Sequence, residues 1–140
     1  MTLCSIIIPV YNSAEGMPRL VAELEHWLPK IGMDYEVLLV NDGSRDASWQ
    51  AICEHARTRP WLRGINLMRN YGQHNALLCG IRSAAYELVL TIDDDLQHPP
   101  EELHHLIAKL DEGFDVVYGT PQREQHGLLR DLASQVTKLA

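Results

Sequence analysis

Short apolar runs alternate with amphipathic stretches along most of this chain. We predict a strand at each apolar run, namely at 4–10, 35–41, 62–67, 88–92 and 115–119. Apolar residues at helical spacing between these runs predict helices over 17–28, 46–59, 73–86 and 100–112. A last apolar stripe predicts an amphipathic helix over 128–139. This alternation is typical of an α/β fold, a mostly parallel sheet with helices on both faces, and we expect a single domain over 1–140.

Each of the first four predicted strands is followed by a short polar cluster. The clusters are Tyr11-Asn12, the run 41–44, the run 69–73, and Asp93-Asp94-Asp95. Parallel strands bring their carboxyl ends to one edge of a sheet, and ligands bind beyond that edge, near the point where the strand order reverses. The sequence therefore predicts a binding site built from these four clusters.

The three consecutive aspartates are candidate metal ligands. In an extended chain alternate side chains share a face, so Asp93 and Asp95 would point one way and Asp94 the other. Two carboxylates on one face repel each other. A divalent cation such as Mg²⁺ or Mn²⁺ relieves that repulsion and leaves open positions for substrate phosphates. An isolated D-x-D is more often a solvated acidic turn, so this interpretation depends on the other clusters.

Charge and glycine spacing exclude several kinds of ligand. The net charge of −7 argues against nucleic acid as a partner, and an acidic protein needs a cation to bind a phosphate. The run 9–16 has no glycine before Gly16, and no G-x-x-x-x-G-K-[ST] occurs, so the dinucleotide and P-loop patterns are both missing. Unpaired, scattered cysteines and an N-terminus without a leader pattern favour a cytoplasmic location.

Five segments, taken together and in order, resemble family 2 glycosyltransferases of the GT-A fold, whose nucleotide-sugar-binding half is Rossmann-like. They are 6–12 (IIIPVYN), 38–44 (LLVNDGS), 69–76 (RNYGQHNA), 91–101 (TIDDDLQHPPE) and 115–119 (DVVYG). The third and fifth are most similar to the polyprenyl-phosphate branch, which includes dolichol-phosphate mannose synthases and bacterial undecaprenyl-phosphate sugar transferases. The resemblance covers nearly all 140 residues but only the N-terminal part of a family member. We therefore expect a truncated domain, incomplete on the acceptor side.

This resemblance implies metal-dependent, inverting transfer of a sugar from a nucleotide diphosphate sugar, with UDP weakly favoured over GDP, to a polyprenyl phosphate. The implied nucleotide-binding residues are Pro9, Tyr11, Asn12, Glu15, Asp42, Arg69, Gly72, Gln73, Asp93 and Asp94. The implied catalytic residues are Asp93, Asp95 and Gln97, which are also the implied ligands of Mg²⁺ or Mn²⁺. The acceptor phosphate is already anionic, so no general base is expected.

The resemblance also suggests roles for single residues. Asp42 would accept the N3–H of a uracil-type base, and Asp93 would hold the ribose or the cation. Gly72 and Gln73 begin a helix whose N-terminus suits phosphate. Two arginines near the end would meet the lipid phosphate or the sugar diphosphate, or are solvated charges: Arg123 and Arg130.

Three positions depart from the family pattern. Asn41 stands where the family often has Asp. Asp94 stands where Ala is common, so its carboxylate either adds a ligand or lies exposed. An arginine that often follows the fifth segment directly comes here only at Arg123.

Two other functional classes stay open. A nucleotidyltransferase also uses acidic metal ligands, but it usually has a Gly- and Lys/Arg-rich loop after its first strand, which this chain lacks. A non-catalytic nucleotide-binding fragment or assembly module is the other. A sheet that stops early would expose an edge, and the 128–139 stripe would expose an apolar face. We therefore expect a homo-oligomer that transfers sugar to lipid poorly or not at all, and a full-length form at the inner face of the membrane.

Overall fold

The computed structural model describes residues 3–95 and 102–119. Within these ranges four strands form one parallel sheet: β1 (Leu3–Val10), β2 (Asp34–Asn41), β3 (Leu62–Asn66) and β4 (Leu88–Thr91). The helices are α1 (Met17–Trp27), α2 (Ser48–Arg57), α3 (Gln73–Ser83) and α4 (Leu103–Asp111), and a 3₁₀ turn, Leu28–Ile31, follows α1. The predicted α/β class is confirmed.

The central strand β1 is buried on both faces, which explains why its sequence is almost wholly apolar. Ile6 and Ile8 belong to the larger core, where α1, α2 and α4 pack on the sheet. Ile7 points to the opposite face and packs with Ala76 of α3. The prediction that helices cover both faces is therefore confirmed.

Gly80 allows α3 to lie close to the sheet. A Cβ atom at this position would lie 2.3 Å from Cγ2 of Ile7 and 3.2 Å from Cγ2 of Val40. Interiors are packed so densely that neither branched side chain has room to move aside. The close approach sets the position of α3 and carries its N-terminus, at Gln73, to the carboxyl edge of the sheet.

The strand order reverses at β1. The order across the sheet is β3-β2-β1-β4, so the chain adds β2 and β3 on one side of β1 and then returns to add β4 on the other. The loops that follow β1 and β4 therefore leave the sheet in different directions. A crevice opens between such loops, and this is where parallel α/β sheets bind ligands.

One predicted strand is wrong. Residues 115–119 lie in neither strand nor helix, and Val116 and Tyr118 are 63% and 85% exposed. A strand needs a neighbour for its backbone hydrogen bonds, and no strand within the described ranges pairs with this run. Its apolar residues alone could not reveal that. The predicted helix at 128–139 lies outside the described residues.

The described helices are all shorter and more polar than a membrane crossing requires. The three cysteines are free. Cys4 is buried, Cys79 is partly buried, and Cys53 is exposed on α2.

Candidate functional site

An open cavity lies at the carboxyl ends of β1 and β4, where the strand order reverses. Its lining residues are Pro9, Val10, Tyr11, Asp42, Gln73, Asp93, Asp94 and Asp95. All of these except Val10 were predicted site residues. The four polar clusters, which are separated in the sequence by whole helices, therefore all contribute residues to one cavity.

The cavity is lined by four carboxylates, and none of the described residues around it is a lysine, arginine or histidine. Like charges gathered at one cavity repel one another, and a cation among them relieves that repulsion. An anionic ligand would be repelled by the same charges. The electrostatics of the cavity therefore suit a bound cation together with an anion that the cation attracts.

The donors present fit a divalent cation that the protein holds only in part. No group of three His, Cys, Asp or Glu side chains in the described ranges is arranged to hold a metal ion alone. Mg²⁺ at nucleotide sites usually takes one or two carboxylates, and water and phosphate oxygens complete its coordination. Asp93 and Asp95, which line the cavity on the same loop, offer that partial set of hard oxygen ligands.

The aspartate triplet does not continue the extended strand. β4 ends at Thr91, and the chain turns at Asp94 and Asp95. Alternation of faces applies only to extended backbone, so it does not fix the directions of the three side chains here. All three residues line the cavity.

Neighbouring loops hold Asp93 and Asp94. The side-chain amide of Gln73 donates a hydrogen bond to Oδ1 of Asp93, with Nε2 and Oδ1 2.9 Å apart. The hydroxyl of Ser13 donates to Oδ2 of Asp94. Burial raises the pKa of Asp94, and hydrogen bonds from the Ser13 hydroxyl and the Tyr11 backbone act in the opposite direction. The first partner comes from the start of α3 and the others from the loop after β1.

Asp42 has a structural role as well as a place in the cavity wall. It is 3% exposed, and its backbone N–H donates to the carbonyl of Val10 at 2.8 Å. Its Oδ1 accepts the backbone N–H of Tyr71 at 2.7 Å. One carboxylate thus ties the loop after β3 to the end of β2 and also lines the cavity.

Gly43 makes that close contact between loops possible. Its φ of +66° lies in the left-handed region, and a Cβ here would lie 2.3 Å from the backbone C of Arg69 and the backbone N of Asn70. Only glycine fits both the conformation and the space. The polar run 41–44 after β2 therefore serves to bring two loops together.

Four predicted nucleotide-binding residues do not line the cavity: Asn12, Glu15, Arg69 and Gly72. The guanidinium of Arg69 lies over the ring of Tyr71, 4.9 Å from its centroid. Glu15 is exposed in the turn before α1, and Gly72 is the N-cap of α3, with a φ of +91°. Three further predicted residues lie outside the described ranges: Gln97, Arg123 and Arg130.

Asn12 connects two loops. Its backbone N–H donates to Oγ of Ser44 at 2.9 Å, and its Oδ1 accepts the backbone N–H of Arg45 at 2.8 Å. Its φ of +50° is one that asparagine tolerates better than most residues. These contacts account for Asn12 at this position without a ligand.

A second connection runs beside the first and was not predicted. The backbone N–H groups of Ser13 and Ala14 donate to Oγ of Ser48 and Oδ2 of Asp46, at 2.8 and 3.0 Å. Oδ1 of Asp46 in turn accepts from the backbone N–H of Ser48 at 2.9 Å, and from its hydroxyl. A bond from an Asp side chain to the backbone N–H two residues later is a local contact that the sequence favours. The long-range partners, Ser13 and Ala14, are not visible in the sequence.

Comparison with known proteins agrees with this geometry. The family model described as Glycosyl transferase family 2 matches residues 5–136. The structure of S. aureus TarS 1-349 is similar to this chain, with a TM-score of 0.65 and 28% identity over 87% of this chain and 39% of that one. TarS 1-349 in complex with UDP-GlcNAc gives a TM-score of 0.64 and 27% identity over 87% of this chain and 37% of that one.

The fold is also shared with the mannosyltransferase PcManGT from Pyrobaculum calidifontis in complex with GDP-Man and Mn²⁺. The TM-score is 0.64 and the identity 24%, over 74% of this chain and 31% of that one. This chain therefore spans well under half the length of the structures it matches. The match of the family model extends over most of the sequence, and the chain belongs to glycosyl transferase family 2.

Proposed function

We propose that the cavity binds a nucleotide diphosphate sugar together with a divalent cation, and that the protein transfers the sugar, with inversion, to a polyprenyl phosphate. The observation that carries this proposal is the lining of the cavity, with four carboxylates and no cationic side chain among its described residues. A diphosphate would be repelled by these charges unless a cation accompanied it. Membership of a glycosyltransferase family supports the choice of a nucleotide sugar over other phosphates.

The relatives support the same kind of ligand. The matched TarS structure contains UDP-GlcNAc, and the PcManGT structure contains GDP-Man and Mn²⁺. The two nucleotides differ in their base, so they do not decide between uridine and guanosine for this chain. The run 69–76 resembles enzymes that use polyprenyl phosphate, and this supports the lipid acceptor.

In this proposal the base lies at the β1 and β2 side of the cavity. The ring of Tyr11 is 46% exposed at the cavity and offers a flat apolar face for a base. The carboxylate of Asp42 accepts the N3–H of the base while its Oδ1 keeps the backbone N–H of Tyr71. Pro9, near the end of β1, lines the same side of the cavity.

The diphosphate lies at the β4 side, where Asp93 and Asp95, with Gln97, are the proposed ligands of Mg²⁺ or Mn²⁺. The cation, when bound, neutralises the departing diphosphate as a Lewis acid. Gln73 orients Asp93 through the hydrogen bond from its amide. The acceptor phosphate arrives already ionised, so these residues orient the reactants and need not remove a proton.

A calorimetric panel of UDP and GDP, each titrated with Mn²⁺ and with EDTA, tests the proposal. We expect one of them to bind more tightly with the metal. Substituting an outer partner of a metal ligand typically costs 10–100-fold in metal affinity, so Asp95→Ala, which removes a proposed ligand, should cost about 100-fold or more. The gain in nucleotide affinity from Mn²⁺ should then disappear.

Asp111→Ala is the matched control, because Asp111 is an exposed carboxylate at the end of α4, outside the cavity lining. It should retain the full gain from Mn²⁺. Equal nucleotide affinity with Mn²⁺ and with EDTA in the unchanged protein would overturn the metal assignment. A radiolabelled transfer assay tests the acceptor, and transfer of label to another acceptor but not to polyprenyl phosphate would count against it.

A further inference from the structure

The middle aspartate of the triplet has different partners from Asp93. Ser13 and the Tyr11 backbone, which bond Asp94, both belong to the loop after β1. Asp93 is held from the opposite direction, by Gln73 at the start of α3. The triplet is therefore hydrogen-bonded on one side to the loop after β1 and on the other to the start of α3.

Further hydrogen bonds hold the backbone of Ser13 in place. The backbone N–H of Ser13 donates to Oγ of Ser48 at 2.8 Å, and the hydroxyl of Ser48 donates to Asp46. Ser48 is fully buried at the start of α2. The Ser13 backbone is thus anchored to a helix, and little conformational freedom is lost when its side chain bonds Asp94.

The Ser13 hydroxyl has one proton and two acceptors within reach. It lies 3.1 Å from the carbonyl oxygen of Tyr11 and also contacts Oδ2 of Asp94. A charged carboxylate is the stronger acceptor of the two. Oδ2 of Asp94 is therefore engaged by the protein, and this bond ties Asp94 to the loop that carries Tyr11.

We propose that Asp94 is a positioning residue, which through Ser13 joins the cation-binding aspartates to the loop that carries Tyr11 and so couples binding of the cation to binding of the base. This inference rests on the proposed function, since it needs both ligands at the one cavity. Asp94 lies between Asp93 and Asp95 in the chain, so any constraint on it limits both neighbours. Tyr11 lies two residues before Ser13, so the same constraint orders the ring proposed to meet the base.

Coupling of this kind is reciprocal. If the base orders the loop after β1, the aspartates are held in place before the cation arrives, and the cation orders the loop for the base in the same way. A nucleoside diphosphate cannot isolate this effect, because its phosphates would contact the cation directly. A nucleoside has no phosphate, and any effect of the cation on its binding must pass through the protein.

The experiment measures binding of uridine or guanosine, whichever matches the preferred nucleotide, with and without Mn²⁺. Equilibrium dialysis with radiolabelled nucleoside suits the weak affinity of such a ligand and is unaffected by the paramagnetism of Mn²⁺. We expect Mn²⁺ to tighten nucleoside binding roughly fivefold, the lower end of typical coupling between sites. Ser13→Ala should remove this gain, and Ser13→Thr, which keeps the hydroxyl, should retain it.

Ser44→Ala is the matched control. Ser44 also bonds the loop after β1, through the backbone N–H of Asn12, but it has no bond to the triplet in the described structure. It should keep the full coupling. Equal gains from Mn²⁺ in wild type and Ser13→Ala, or no gain for the nucleoside in wild type although the diphosphate shows one, would overturn this inference alone. A wild-type chain that binds neither nucleotide would overturn the proposed function and this inference together.

Discussion

At the amino ends of β1 and β2 a buried carboxylate has a donor for each of its oxygens, whereas at the carboxyl ends of β1 and β4 four carboxylates line one cavity. The first carboxylate is Glu36, which is 9% exposed. Its Oε1 accepts the hydroxyl of Ser5 and the backbone N–H of Ala85, both at 2.7 Å, and its Oε2 lies 3.1 Å from the guanidinium of Arg63. The hydroxyl of Ser5 in turn accepts the backbone N–H of Tyr86 at 3.2 Å.

The two edges differ in the hydrogen-bond donors and in the cationic side chains that the protein places there. At the amino edge one carboxylate meets two neutral donors and an arginine, so its charge and its hydrogen bonds are both satisfied by the protein. At the carboxyl edge four carboxylates line the cavity, and no lysine, arginine or histidine is among its described lining residues. A carboxylate that meets a cationic side chain therefore indicates stability, and a cavity lined by carboxylates without one indicates a bound cation.

The largest expected effect is at the amino edge. Glu36→Ala leaves the Ser5 hydroxyl and the Ala85 N–H without their acceptor, and each unsatisfied buried group costs roughly 1–3 kcal/mol, so we expect a loss of about 2–4 kcal/mol in the free energy of unfolding. Chemical denaturation measures it. Glu36→Gln keeps one oxygen as acceptor and should lose less. Nucleotide affinity of the folded variant should not change, and a change would mean that the two edges are not independent.

The second prediction concerns a substitution that should lower nucleotide affinity and leave stability nearly unchanged. Asp42→Asn keeps an oxygen for the backbone N–H of Tyr71 but presents a donor in place of an acceptor to the base. A hydrogen bond to a charged group contributes about 1.5–3 kcal/mol, so nucleotide affinity should fall by roughly tenfold or more. Calorimetry gives this affinity, and denaturation should show a small change in stability. An unaltered dissociation constant would leave Asp42 with its structural role alone.

The smallest effect concerns a structural carboxylate that lies close to the open edge. The hydrogen bond from the Ser48 hydroxyl, with those from the backbone N–H groups of Ala14 and Ser48, holds the pKa of Asp46 below its ordinary value of 3.8. The ionised form is therefore stabilised by folding, and this contribution is complete above the unfolded pKa and is lost as the pH falls through the folded pKa. Asp46→Asn keeps an oxygen acceptor and removes only the charge, so at this exposed position we expect a cost well under about 1 kcal/mol near neutral pH.

The pH dependence of that cost is the sharper measurement. The difference in unfolding free energy between wild type and Asp46→Asn should be constant from about pH 7 to pH 5 and should shrink below about pH 4, because only wild type then gains a proton at this position. Asp34→Asn makes the same chemical change at an exposed position where β2 begins. A difference for Asp46→Asn that stays constant to pH 3 would show that the Asp46 charge has no part in joining the two loops.

Much of the site could be predicted from residue order because the carboxyl ends of parallel strands share one edge. Asp42, Gln73 and the triplet were found in this way, and all of them line the cavity. Asn12 and Arg69 follow strands as well, but they contact neighbouring loops instead of lining the cavity. Position after a strand indicates which edge a residue occupies, and it does not indicate whether the side chain turns inward.

Several features depended on contacts between residues that are far apart in the chain. The role of Ser13 could not be predicted from the sequence, because its partners, Ser48 and Asp94, lie 35 and 81 residues away. The run 115–119 has the composition of a strand and lacks a described partner, since pairing is a property of two segments and not of one.

The sequence by itself determined the α/β class, the two-sided burial of β1 and the edge at which the aspartates gather. These follow from local patterns of apolar and polar residues, and such patterns act over a few residues. Only the tertiary structure decided that Asp94 is held by Ser13, and that Glu36 is satisfied at the opposite edge. Those outcomes depend on which loops the folded sheet brings within hydrogen-bond distance, and no single stretch of the chain specifies that.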